Sequence, residues 1–331
     1  MSVSIIIPTF NGAARIGKCI EALLPQTAAI NGEILVVDDG SSDGTGDVVS
    51  RYPGVRLISQ ANAGPAAARN RGASEAKGTI ILFTDDDCVP TSDWLAAMIK
   101  PFEDEEVVGV KGAYRTRQKS LVARFVQADY EDRYRLMANL PEIDFIDTYA
   151  AAFRRDRFLE MNGYDTSFPV ACAEDIELSY RMSERGWKMK FVPTAIVYHT
   201  HPDTFGLYMR KKYKFAYWRM LALHKNPKKA LKDSHTPQVM KLQLLFAPAL
   251  LLAICCDLVL RPAMPEWAVV CIAFLISTVP FVGRTIRKDP IVGLLSPLLL
   301  AARSCAQLLG VMAGSLSAWR APANAATESR A

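Results

Sequence analysis

Nothing in this chain is spaced to hold a metal through sulfur. Its 331 residues include seven cysteines, an odd number, with no CxxC or related pair. That excludes zinc-ribbon and disulfide-stapled scaffolds. Four of the seven, Cys255, Cys256, Cys271 and Cys305, lie in the apolar C-terminal part, where cysteine serves as a small hydrophobe. Histidine is scarce, with four in all, and no internal repeat or low-complexity tract is present. The opening MSVSIIIPTFNG lacks the basic flank and long apolar core of a signal peptide. The first ~200 residues are therefore expected to stay in the cytosol. Acids are nearly missing from residues 204–241, where ten Lys and Arg accompany the single Asp233. Such a block suits nucleic acid or an anionic lipid surface.

Charge is almost missing over longer stretches, and these decide between the two. Residues 242–260 are broken only by Gln243 and Asp257, residues 267–283 carry no charge, and residues 291–319 carry only Arg303. The first two approach the length of a bilayer-crossing helix. Buried helices of a soluble domain share this look, but length and lack of charge favour membrane spans. Arg303 and Pro297 split the third stretch, which reads as a broken, re-entrant or interfacial helix. The basic block then falls on the cytosolic side, and Arg284, Arg287 and Lys288 mark a return to it. Four regions are expected: a cytosolic domain over 1–203, a basic juxtamembrane or interfacial helical segment over 204–241, a membrane region over 242–319 with two or three hydrophobic helices, and a disordered tail over 320–331. The expected partner is a membrane, not nucleic acid.

Before the basic block, short apolar runs alternate with helical patterns. VSIII (3–7), EILVV (33–37), VRLIS (55–59) and TIILFT (79–84) read as buried strands. Helices are expected over 13–24, 43–51 and 64–76 between them. This alternation predicts an α/β fold, a mostly parallel sheet with helices on both faces. Ligands bind beyond the carboxyl ends of such strands. Three of those ends carry polar groups: PTFN, DDGSSDGT and DDD. Further on, 107–114 and FIDTYAAAF (145–153) read as strands, and 119–138, 156–161 and 175–185 as helices. MKFVP (189–193) and AIVYH (195–199) read as two last strands.

Asp85, Asp86 and Asp87 stand side by side at a strand end, where each raises the pKa of the others unless a positive partner is present. A hard divalent cation that shares phosphate oxygens with a substrate meets that need; an exposed acidic turn is the other reading. Asp38 and Asp39 could accept hydrogen bonds from a nucleoside, although DDG is also ordinary turn chemistry. Glu174 and Asp175 open a helix, where acids suit the dipole, and a general base would look the same. His199 and His201 share one strand face, from which a metal or a diphosphate could be reached. Arg69 is either a surface residue or a phosphate contact.

VSIIIPTFN, EILVVDDGSSDGT, NAGPAAARNRGASEAKG, ILFTDDDCVP and GYDTSFPVACAEDIELSYRMSERGW occur in this order over roughly residues 3–200. Together they resemble the family 2 glycosyltransferases, inverting enzymes of GT-A fold, and the apolar tail is similar to that of membrane-bound members. The resemblance implies a nucleotide-diphospho-sugar donor, with UDP the expected carrier, and a lipid-linked or cell-envelope glycan acceptor. It places Pro8, Thr9, Asn11 and Asp39 around the nucleoside, Arg69 near the base or diphosphate, and Asp85 and Asp86 at the donor. It makes Asp87, with Asp85 and His199, the holder of a divalent cation, Mg2+ or Mn2+. It makes Asp175 the catalytic base, with Glu174 beside it. No role follows for Asp86 as the middle acid. The QxxRW motif of processive members is absent from YMRKKYKFAYWRML (208–221), which implies transfer of a single sugar. The basic and aromatic residues of that stretch are expected to form a collar at the membrane surface. Two alternatives compete: a non-catalytic membrane scaffold that keeps the fold, and a nucleotidyltransferase, for which PTFNGAAR is poor in glycine.

Overall fold

The computed structural model describes residues 1–168, 173–225, 234, 236–260 and 265–320. The described residues fall into two compact units. The first comprises residues 1–118 and 133–201 with Ser234; the second comprises 119–132, 202–225 and 236–320.

In the first unit the apolar runs become β1 (Val3–Thr9), β2 (Glu33–Asp38), β3 (Val55–Ser59) and β4 (Ile80–Phe83). Helices α1 (Ile16–Ala28), α2 (Thr45–Val49) and α3 (Pro65–Glu75) connect them. Every side chain of β1 and β4 is buried, as a strand covered on both faces requires. The strands β5 (Val89–Pro90), β6 (Val107–Arg115), β7 (Ala151–Arg154) and β8 (Lys188–Tyr198) complete one eight-stranded sheet of order β3-β2-β1-β4-β7-β6-β8-β5. Helices α4 (Trp94–Ile99), α6 (Arg155–Glu160) and α7 (Glu174–Glu184) also belong to this unit. Thr9 pairs with Asp38, and Ile6 with Phe83, so β1, β2 and β4 end on the same edge. That edge carries PTFN, DDG and DDD.

Four of the seven pairings in the sheet are parallel, as the alternation of strands and helices predicts, and the other three make it mixed. β7 runs antiparallel to β4 and β6, and β5 antiparallel to β8. The expected pair of last strands is one strand, β8. Its register against β6 jumps from Lys111–Phe191 to Ala113–Ile196. Pro193 lies inside the jump and lacks an N–H for the ladder, so the strand bulges there and continues. Only the end of FIDTYAAAF is strand. Thr148–Ala150 forms one 3-10 turn, and the backbone N–H of Ile146 donates to Ser179 Oγ at 3.0 Å instead of to a strand.

The second unit is helical. It contains α8 (Phe205–Lys225), α9 (Gln238–Leu260), α10 (Glu266–Thr285), α11 (Pro290–Arg320) and the first part of α5 (Leu121–Ala138). Phe125, Tyr208, Phe281, Val292 and Leu300 form its buried apolar cluster. The third apolar stretch is one continuous helix, α11, although Pro297 sits inside it. Arg303, whose charge interrupted that stretch, is buried and paired. It donates to Asp129 Oδ1 at 2.7 Å and to Gln243 Oε1 at 2.7 Å, while Lys212 Nζ lies 3.1 Å from Asp129 Oδ2. A buried cation persists only with such partners. By length and composition, 238–258, 266–285 and 290–319 are each apolar and long enough to cross a membrane. The expected disordered tail lies outside the described residues from position 321 onward.

Candidate active site

The acidic loop follows β4 at the sheet edge, and its three carboxylates point to three different partners. Asp86 is buried. Arg15 donates to it through Nε at 2.7 Å and Nη2 at 2.9 Å, and Thr9 Oγ1 donates at 2.6 Å. Burial pushes the Asp86 carboxyl up, and these donors oppose the shift. The middle acid is thus the clasp between the acidic loop and the start of α1.

Asp87 turns the other way, toward the end of β8. Its Oδ2 lies 3.1 Å from His199 Nε2. Burial acts to raise the Asp87 carboxyl, but the hydrogen bond and charge of His199, with Arg15 nearby, hold it below its ordinary value. Ligand atoms of Asp87, His199 and Cys88 lie within 4.8 Å of one another. A carboxylate oxygen beside an imidazole nitrogen is a donor set that fits a divalent cation. Asp85 and His201 stand outside this group. His201 is buried, and its backbone is clamped by Gln118, which accepts from His201 N at 2.6 Å and donates to its carbonyl at 3.0 Å.

Asp85 faces Arg69. Arg69 is 2% exposed; its Nη2 donates to Asp85 Oδ1 at 2.8 Å and Nη1 to Glu174 Oε1 at 3.0 Å. Burial works to lower the Arg69 pKa, but the charges of Asp85 and Glu174 win and raise it. Arg69 therefore serves first as a bridge between the acidic loop and α7. Glu174 is buried under this bridge, while Asp175 beside it keeps partial exposure. Burial, then the Glu174 charge, push Asp175 up to about 7, against Arg69 and Lys111. A carboxylate titrating near neutrality is suited to take a proton.

The expected nucleoside contacts lie along the same edge, and most are engaged within the chain. Asp39 is buried and accepts from Gln60 Nε2 at 2.7 Å and from the N–H groups of Ala63 and Gly64 at 2.9 and 2.8 Å. It shapes the loop ahead of α3. Asn11 adopts a left-handed φ of 49° and accepts from Ser42 N at 3.0 Å. Pro8 is in β1, paired with Val37.

Sequence reasoning missed Lys111. It lies in β6 and is wholly buried, ion-paired with Asp147 and 3.1 Å from Tyr149 Oη. The rings of Tyr149, Phe145 and Tyr134 stand 4.9, 5.1 and 6.0 Å from its Nζ. Burial pushes the amine well down, against the charge of Asp175. The Asp147 carboxylate and the aromatic ring faces are the kind of partner a buried lysine requires. A single lysine inside an apolar strand run was the signal available. Tyr114 stacks on Tyr149 and lies 4.7 Å from the His199 ring.

Residues 4–160 match the family model Glycosyl transferase family 2. The probable glycosyltransferase YdaM of Bacillus subtilis is 27% identical over 239 residues, covering 65% of this chain and 54% of that protein. Glycosyltransferase AglE of Haloferax volcanii is 40% identical over 99 residues, covering 28% and 33%. The pre-mycofactocin glycosyltransferase of Mycobacterium tuberculosis is 26% identical over 208 residues, covering 60% and 43%. The chain thus spans about half or less of the length of these curated relatives. Among solved structures, the mannosyltransferase PcManGT from Pyrobaculum calidifontis, in complex with GDP-Man and Mn2+, superposes with TM-score 0.63 at 20% identity, covering 94% of this chain and 86% of that one. GalNAc-T7 with UDP, GalNAc and Mn2+ superposes with TM-score 0.51 at 16% identity, covering 71% and 52%. At these identities the likeness is one of fold, and the fold is of the expected GT-A type.

Proposed function

We propose that this chain, whose residues 4–160 form a glycosyl transferase family 2 domain, is a membrane-bound, inverting glycosyltransferase. It takes a nucleotide-diphospho-sugar, UDP-linked by resemblance, and transfers one sugar to a hydroxyl of a lipid-linked or envelope-glycan acceptor. The observation that carries this reading is the Arg69 bridge. One buried guanidinium ties Asp85 of the acidic loop to Glu174, next to Asp175. The donor side and the base are thereby joined through a single side chain.

Each residue then has a task. Asp87 and His199 would hold a divalent cation, with Asp85 turned toward Arg69 at its flank. Such a cation, when bound, neutralises charge on the departing diphosphate. Asp175 accepts the proton of the acceptor hydroxyl, and the oxygen attacks the anomeric carbon opposite the leaving group. No carboxylate is required as a covalent nucleophile, so a single displacement inverts the centre. Pro8, Thr9 and Asn11 offer the nucleoside an edge shaped by Asp39. The apolar helices α9, α10 and α11 support a membrane location, and the basic, aromatic face of α8 suits anionic headgroups on the cytosolic side. The mannosyltransferase likeness leaves GDP open beside UDP as the carrier.

Incubation of membranes containing the chain with labelled UDP-, GDP- and dTDP-sugars tests this. Label is expected in lipid or glycan from one donor class. No label from any donor, with the acidic residues intact, would favour the scaffold reading.

A further inference from the structure

Helices α8 and α11 run side by side in the same direction. Gly310 and Gly314 of α11 pack against the carbonyl oxygens of Tyr213 and Tyr217 of α8, so one turn along one helix matches one turn along the other. Ahead of these glycines, Leu299 and Leu300 of α11 share an apolar cluster with Tyr208 of α8. In between, Arg303 donates to Asp129 Oδ1 of α5 at 2.7 Å, and Lys212 of α8 donates to Asp129 Oδ2 at 3.1 Å. The two helices therefore stay in step from Leu299 to Gly314. Whatever depth in a membrane α11 reaches there, α8 reaches beside it.

The sequence of α8 is not suited to hydrocarbon. From Arg210 to Arg219 it carries five Lys and Arg and no acid, and Arg210 and Lys214 are exposed. Charge at that density is kept out of a bilayer core. Nor does α11 have room to cross before it meets this stretch. The span from Pro290 to Ala302 reaches only about 20 Å, against about 30 Å of hydrocarbon.

The residues of α11 divide into two faces. At about 100° per residue, Leu294, Leu298, Leu309, Met312, Leu316 and Trp319 fall on one side, and all are exposed. Arg303, Gly310 and Gly314 fall on the opposite side, against Asp129 and the α8 backbone. One apolar face along the whole helix, with a cationic neighbour beside it, is the form of a helix that lies in a membrane surface. Helices α9 and α10 are placed differently. They meet this platform through Gln243, near the start of α9, and Phe281, near the end of α10. Farther along, Leu252, Val269 and Ile272 are exposed.

We propose that α11, although long enough to cross, lies with α8 in the surface of an anionic membrane. Its apolar stripe enters the acyl boundary, and the cations of α8 sit among the headgroups. The α9–α10 hairpin is the crossing element. Residue 1, residues 284–289 and residue 320 then share one side of the membrane. The inference does not depend on the chain being a glycosyltransferase.

The test places a protease-cleavable epitope tag in the full-length chain at one of four positions: ahead of Met1, between Pro262 and Ala263, between Ile286 and Arg287, or after Ala331. Cleavage is read in inside-out and right-side-out membrane vesicles. The first, third and fourth tags should be cut from one face, and the second from the other. A fourth tag cut from the face opposite the third means that α11 crosses, and overturns the inference. A third tag cut from the face opposite the first means that α8 crosses with it, and overturns it equally. A second tag on the same face as the third removes the hairpin as the crossing element. Where an insertion prevents folding, Ala263→Cys or Ile286→Cys takes its place, labelled with a membrane-impermeant maleimide and compared with the parent. The lipid is tested separately. The parent, reconstituted in vesicles containing phosphatidylglycerol, should have a higher Tm than in pure phosphatidylcholine. The double variant Arg210→Gln, Lys214→Gln should lose most of that difference. Equal Tm of the parent in both lipids would overturn the headgroup contact.

Discussion

Arg69 and Glu174 meet at 3.0 Å in the interior of the first unit, 105 residues apart in the chain. Both are almost wholly buried, and the same guanidinium reaches Asp85 at 2.8 Å. Arg69→Gln takes the guanidinium away from the buried Glu174 carboxylate. The expected loss is about 3–5 kcal/mol of stability, the scale for breaking a buried pair. Arg69→Lys should not rescue it, because one ammonium cannot fork to two carboxylates as a guanidinium does. Chemical unfolding of the three proteins checks this, and equal stability of parent and Arg69→Gln would refute the bridge.

Asp175→Asn should lower kcat by about 10²–10⁴-fold and leave the donor KM unchanged, because in the proposed mechanism the carboxylate acts on the acceptor proton alone. The pH dependence has a definite sign. Asp175 is pushed up to about 7, so activity rises as pH climbs through neutrality and the carboxyl ionises. Stability moves oppositely. The folded chain binds this proton more tightly than the unfolded one, so the contribution is full below the ordinary Asp range and is lost as pH rises through about 7. Rate and Tm measured between pH 5 and 9 should therefore slope in opposite directions, and Asp175→Asn should flatten that part of the Tm profile.

How much of this was legible beforehand varies with the physics. The parallel half of the sheet was, because strands buried on both faces read as unbroken apolar runs. The edge holding PTFN, DDG and DDD followed from the carboxyl-end rule, and Asp87 and His199 do come together. The fate of Asp85 and Asp86 was not legible. Each is settled by an arginine far away, Arg69 or Arg15, and local patterns carry no long-range pairing. Lys111 was passed over because its partners, Asp147 and Tyr149, lie in a stretch that reads as strand and is a turn. Arg303 looked like a break in an apolar helix. It is paired with Asp129, whose position on an amphipathic helix gave no hint of it.

Removal of divalent ions with EDTA should abolish transfer, and Mn2+ or Mg2+ should restore it. His199→Ala and Asp87→Asn should each raise the half-saturating Mn2+ concentration by more than about tenfold, the scale on which supporting ligands act. Metal titration by calorimetry reads this without turnover. Full activity after EDTA treatment would remove the cation from the mechanism.

Asp86→Asn separates the middle acid from its neighbour. Asp86 is committed to Arg15 and Thr9, so its loss should cost about 1–3 kcal/mol as the buried Thr9 hydroxyl and the Arg15 guanidinium lose their charged acceptor. Its half-saturating Mn2+ concentration should match the parent's. If Asp86→Asn weakens metal binding as much as Asp87→Asn does, the division of labour within DDD is wrong.

In the helical unit, α8 and α11 approach each other closely at two glycines. Gly310 and Gly314 are one turn apart on α11, and each packs against a carbonyl oxygen of α8, those of Tyr213 and Tyr217. A side chain at either glycine would occupy the space that the α8 backbone fills. Small residues at this spacing let helices meet without a hydrophobic driving force between them, which is the situation inside lipid. Gly310→Leu must separate the pair, and overpacking of this kind costs about 1–3 kcal/mol or more. Gly283 on α10 is the control, since nothing lies within 4 Å of the position its Cβ would take. In mild detergent, Gly310→Leu should lower Tm by several degrees, whereas Gly283→Leu should leave it close to the parent value. Equal Tm in all three would mean that α8 and α11 do not depend on this seam, and the glycines would then be incidental to the fold.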